Sequence, residues 1–201
     1  MSHRGPNPAP CRSATLLAAL LFTAVTFSPA TSAAQGAFDS VNPDTAMVEA
    51  MEEGNRKAFA LALIGAPNPN ATSVYGVPLI VLAVETGDPW FVAELLKAGA
   101  RADQKAKDGR TALTLAAERG QAEMVKHLLA HDSDPDHQGV NAEAALVKAA
   151  RHGHVEVIQA LLEAGADVNE ADVTGRTALD IAQRGGHTEA ARILREAGGE
   201  R

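Results

Sequence analysis

The chain has 201 residues, room for one or at most two domains. Its formal net charge is -7. That balance excludes non-specific nucleic-acid binding, which needs clustered Lys and Arg, and attraction to anionic membrane surfaces. Hydrophobic residues make up 46% and aromatics only 3%. The apolar share is carried by Ala, Leu and Val, and strand formers are few, so an all-helical chain is expected.

The first element predicted is an export signal over residues 1–34. Arg4 and Arg12 precede an apolar run from Ala14 to Phe27 that only threonines interrupt. Pro29 ends it, and small residues follow from Ala30 to Ala34. Positive start, short apolar stretch and small-residue cleavage site are the order of a secretory leader. The run is too short for a comfortable span, which takes about 20 residues. Cleavage is expected after Ala33 or Ala34, leaving a periplasmic or secreted protein of bacterial type. Cys11 lies before the run and is lost with it, so no disulfide is expected. Residues 35–41 read as a short linker.

From residue 42 the chain repeats itself. Gly54, Gly87, Gly120, Gly153 and Gly186 are spaced by 33, as are Ala50, Ala83, Ala116, Ala149 and Ala182. Met47, Ile80, Leu113, Leu146 and Leu179 form an apolar column in the same register, and Leu63, Leu96, Leu129 and Leu162 another. Gly99, Gly165 and Gly198 form one more, with Asp132 standing in once. A period of this length marks a stack of supersecondary units. The units fall at about 42–74, 75–107, 108–140, 141–173 and 174–200.

The third unit illustrates the pattern. Asp108-Gly109 is a tight turn, Thr111 can cap a helix start with its hydroxyl, and Leu113, Ala116 and Ala117 share one helix face. Gly120 ends that helix in the left-handed region. A second helix from Ala122 to His131 turns Met124, Val125, Leu128 and Leu129 inward. No such pair buries its apolar face alone, so neighbours must share it. Leu162 is expected to lie in that shared core.

These residues resemble the ankyrin repeat. The likeness is carried by Asp108-Gly109-Arg110-Thr111-Ala112-Leu113, by Thr174-Gly175-Arg176-Thr177-Ala178-Leu179, and by Gly153-His154-Val155-Glu156-Val157 with the run Leu161 to Asn169. Ala112 and Ala178 stand where the family usually has proline, and the histidine that follows is Thr114 or Asp180. The first unit lacks the turn glycine, as suits a terminal cap. The resemblance implies an all-α solenoid of about five helix-turn-helix units, with a turn projecting from each. It implies protein binding through turn tips and the inner face of the first helices, with no cofactor and no catalytic group.

Sharper chemistry is sparse. Asp132, Asp134, Asp136 and Glu143 imitate the acidic spacing of a calcium loop, but His137 stands where glycine is needed. The acids at 134 and 136 also fall on turn columns that Asp167 and Asn169 fill elsewhere. His131, His137, His152 and His154 invite a zinc reading, yet His154 and His187 share a repeat column, as a structural histidine would. Ser40, Ser73 and Ser133 lack a glycine-flanked elbow, and no phosphate loop is present. An enzyme is not expected.

Candidate contact residues follow from the repeat frame. Tyr75 sits at a turn tip, where an exposed aromatic can anchor a partner. Arg110 and Arg176 share a column on the turn side, and Arg101, Lys105 and Lys107 lie nearby, a set suited to an acidic partner surface. Trp90 is placed between neighbouring units. The expected function is a non-catalytic scaffold for another protein in an exported compartment, accessory to a periplasmic protein or enzyme. The alternatives are an inhibitor or immunity-type protein that blocks a toxin or enzyme, and a calcium-responsive binding module.

Overall fold

A computed structural model describes residues 43–65, 68–139 and 143–200. The leader with Cys11, the 35–41 linker and Ser40 lie outside the described residues. Among the described residues ten helices follow one another in pairs: α1 (Pro43–Glu52) with α2 (Arg56–Ile64), α3 (Leu79–Thr86) with α4 (Pro89–Lys97), α5 (Ala112–Glu118) with α6 (Ala122–Leu129), α7 (Ala145–His152) with α8 (Val155–Glu163), and α9 (Ala178–Arg184) with α10 (Thr188–Glu196). The first helices α1, α3, α5, α7 and α9 pack in one row, and α4, α6, α8 and α10 in a second row behind it.

The helices are seven to ten residues long, too short to persist alone in water. Local chemistry fixes their ends. Thr111 and Thr177 cap α5 and α9, each in a reciprocal capping box with the residue three further on. The Asn55 and Asp88 side chains accept from the N–H groups of Ala58 and Trp90. The glycine column at 54, 87, 120, 153 and 186 takes φ between +65° and +80° throughout, as a left-handed stop requires. Asp132, standing in the other glycine column, is the one non-glycine with positive φ among the described residues, at +60°.

Packing completes what propensity cannot. Met47, Ile80, Leu113, Leu146 and Leu179 are all buried, and so are the alanines of the neighbouring column. Alanine there leaves no bulk between first helices, so their backbones approach closely. In the second row Leu95, Leu128, Leu161 and Leu194 are wholly buried. Leu162 differs from expectation. One residue is about 100° round a helix, and that turns Leu162 to the half-buried rim of the seam while Leu161 points into it.

Two sets of polar staples join the repeats. The side chains of Asn70, Asp103, Asp136 and Asn169, each 33 residues apart, accept from the backbone N–H of Arg101, Asp134, Asp167 and Glu200 in the following loop. On the helix side, the Gln121 amide donates to the Val84 carbonyl, and the Nε2 atoms of His154 and His187 lie 3.1 and 3.0 Å from the carbonyls of Glu118 and Arg151. The His154 ring crosses Gly120 so closely that a Cβ there would sit 2.7 Å from it, which excludes any side chain. At the N-terminal junction Phe59, Trp90 and Phe91 meet edge-on, with centroids 5.1–6.0 Å apart. Arg56 lies over the Trp90 ring and grips Asp88 through two 2.8 Å bonds.

Three substitutions test this packing by urea denaturation. Leu161→Ala is expected to cost about 3 kcal/mol, and Leu162→Ala, at the rim, about 1 kcal/mol; equal losses would mean the two columns are equally deep. Asp132→Gly is expected to stabilise the chain by about 1 kcal/mol, because it removes a side chain from left-handed backbone.

Candidate protein-binding face

Between one pair and the next the chain makes a finger. Backbone bonds close each at the base: Ser73 N–H to Val77, Ala106 to Arg110, Gly139 to Glu143, and Asp172 to Arg176. The first and last finger tips carry large apolar side chains in water. Val74 is 87% exposed, Tyr75 82% and Val173 70%. At the first tip Gly76 has φ +75°, and the stem of Lys107, from the second finger, lies directly over it, so a Cβ would come within 2.3 Å of the lysine.

Side-chain bonds stiffen the fingers. Asp108 accepts from the N–H of Arg110 and from its guanidinium. The Asp108 pKa is lowered, chiefly by that backbone bond against the opposing effect of burial. Arg110 also reaches Glu85 at 3.0 Å, and its pKa is raised by the Asp108 bond first. In the last finger the Asp172 carboxylate is nearly fully buried. It accepts from the N–H groups of Thr174 and Arg176, the Thr174 hydroxyl and the Arg176 guanidinium. Burial alone would raise its pKa, but those bonds outweigh burial and hold it far below the usual carboxylate range.

Behind the fingers lies the inner face of the first helices. Two adjoining hollows of about 490 and 670 Å³ form a groove between α1 and α3, sharing Val48, Glu52, Leu82 and Glu85. The larger hollow is closed by Tyr75, Val77 and Arg110. A separate hollow of about 550 Å³ lies at the other end, between Glu143, Arg151, Asp172, Arg176, Ile181 and Arg184. There Glu143 is buried and held by Lys148 at 3.0 Å and by Arg151.

The structure therefore sorts the expected contact residues into three places. Tyr75 and Arg110 line one groove, and Lys107 crosses the finger beside Tyr75. Arg176 belongs to the far hollow. Arg101 is exposed in the loop after α4, where its N–H meets Asn70, and it lines neither groove. Arg110 and Arg176 are both held by acids of the chain itself, so neither guanidinium is a free cation.

Sequence reasoning missed a further column. Glu52, Glu85, Glu118, Arg151 and Arg184, each 33 apart, run along the inner face and change sign midway. The signal was in the same register as the glycines, but it becomes meaningful only once that helix face is known to be open.

Three of the four acids that imitated a calcium loop, Asp134, Asp136 and Glu143, are occupied in bonding. Asp134 accepts from the Asp136 N–H and Asp136 from the Asp167 N–H. Among the described residues no group of three or more His, Cys, Asp or Glu is placed to hold a metal ion. His152 and His154 stack with centroids 5.7 Å apart.

Fold and surface define a helix-pair solenoid whose seam is consumed internally and whose fingers and inner grooves are left open. A family model described as Ankyrin repeats (3 copies) matches residues 46–138, 79–172 and 132–200, and the chain belongs to the ankyrin-repeat family. No curated protein gives a significant match. Ankyrin repeats are in general protein–protein interaction modules, typically without catalytic activity.

The buried Asp172 gives a test of finger rigidity. Its folded pKa lies below the usual value of 3.8, so its stabilisation is full above that pH and fades as pH falls towards the folded value. Asp172→Asn is expected to lose about 2 kcal/mol near neutral pH. Acid titration of both proteins should show the gap narrowing only below about pH 4. A gap that stays constant down to about pH 2 would remove the carboxylate from that role.

Proposed function

We propose that the chain is a non-catalytic scaffold in an exported compartment, where it binds and supports a periplasmic protein or enzyme. What carries this reading is the division of apolar surface. The seam between repeats is closed, yet Val74, Tyr75 and Val173 stand in water at finger tips, beside open grooves. Among the described residues three of the five large exposed apolar side chains sit at finger tips, the other two being Leu61 and Ile64 on α2, and exposed apolar groups of this size mark a contact surface. The expected contact set remains Tyr75, Arg101, Lys107, Arg110 and Arg176. Arg110 and Arg176 contribute as rigid, partly neutralised supports for the fingers. Export rests on residues 1–34, with their positive start, apolar run and small-residue end.

The test is capture from a periplasmic extract of the source cell with the tagged protein as bait. A specific protein is expected to co-elute, and N-terminal sequencing of the bait should begin at Ala34 or Gln35. Val74→Ser with Tyr75→Ala is expected to abolish co-elution while leaving the melting temperature within about 1 °C, because both side chains are exposed. A bait that stays in the cytosol with its leader, or that retains no protein, would overturn the reading. Assaying the co-eluted protein with and without the scaffold separates support from inhibition.

A further inference from the structure

Resting on the scaffold reading above, we infer that the groove between α1 and α3 takes an extended segment of the partner that carries lysine or arginine on either side of an apolar residue. The lining sets that chemistry. Val48 and Leu82 form a half-buried apolar floor, and Tyr75 stands at its edge in water. The two hollows together are lined by Glu52, Glu53, Glu85 and Asp88, of which Arg56 already holds Asp88, and their lining cation is Arg110. That cation is already engaged, by Asp108 at 2.7 Å and Glu85 at 3.0 Å. Glu52 and Glu53 are exposed at the end of α1 and form no ion pair among the described residues.

The overall acidity of the chain does not account for this. At the same repeat position the inner face carries Glu52, Glu85 and Glu118 in the first three repeats but Arg151 and Arg184 in the last two. Negative charge is thus concentrated where the apolar floor is open. A long basic side chain suits such a place, since its methylene stem covers apolar surface while its head stays at the carboxylates. Tyr75 adds a ring face for the same cation. An acidic segment would meet like charge there with no free cation to answer it.

The experiment uses the full chain and three fluorescein-labelled peptides: a Lys-Leu-Lys-Phe-Lys core, the same core with Glu for Lys, and the same core with Ser for Leu and Phe. Fluorescence anisotropy is expected to show the first binding at least about tenfold more tightly than either of the others, with affinity falling steeply as salt is raised. The exposed changes E52K with E53K, and separately Y75A, are each expected to weaken it about tenfold with circular dichroism unchanged. Equal binding of the acidic peptide, or affinity that neither variant alters, would overturn the assignment. So would a dimer in sedimentation that E52K with E53K disperses, since the groove would then hold a second copy. Retention by that variant of the protein captured from the periplasm would also sink the groove while leaving the scaffold standing.

Discussion

Every other feature of this protein depends on one constraint: helices of seven to ten residues have no stability of their own and must share apolar surface with the next pair. The alanine column at 50, 83, 116, 149 and 182 makes the sharing possible by letting first helices approach without intervening bulk. The large side chains on either side, from Met47 to Leu179 and from Leu95 to Leu194, then fill the space that remains. Because the seam runs the length of the array, the chain needs no disulfide, and among the described residues no metal site, to hold it.

Polar groups set the stacking distance where apolar contact alone would let the units slide. Each loop amide at Arg101, Asp134, Asp167 and Glu200 finds a side-chain oxygen one repeat earlier. A slip of one residue would break those bonds, which lie at the exposed edge and contribute about 0.5–1.5 kcal/mol each. Histidine serves the opposite edge. His154 and His187 need both a carbonyl in front and a bare glycine beneath, so two columns of the sequence are explained by one contact.

Much of this is legible in the sequence. The 33-residue glycine and alanine columns located the helix ends and the close approach, and the stand-in at Asp132 was visible as a gap in a glycine column. Depth within the seam was less legible. Leu161 and Leu162 are adjacent leucines, and only the packed row shows which of them points inward. The surface was harder still. Arg110 and Arg176 read as outward cations because pairing with Glu85, Asp108 and Asp172 depends on how a finger bends, which hydropathy does not encode. The sign change from Glu118 to Arg151 was present as letters, but its meaning came from the groove it borders.

The aromatic junction of the first two pairs has a consequence for anyone who watches this protein unfold. Trp90 is the sole tryptophan, and it is wedged against Phe59 and Phe91 under Arg56. Its emission therefore reports the peeling of the N-terminal end and is silent about α9 and α10. Far-ultraviolet ellipticity averages over all the helices. In a linear array whose ends need not melt together, the separation between the two optical transitions measures how far cooperativity extends along the stack.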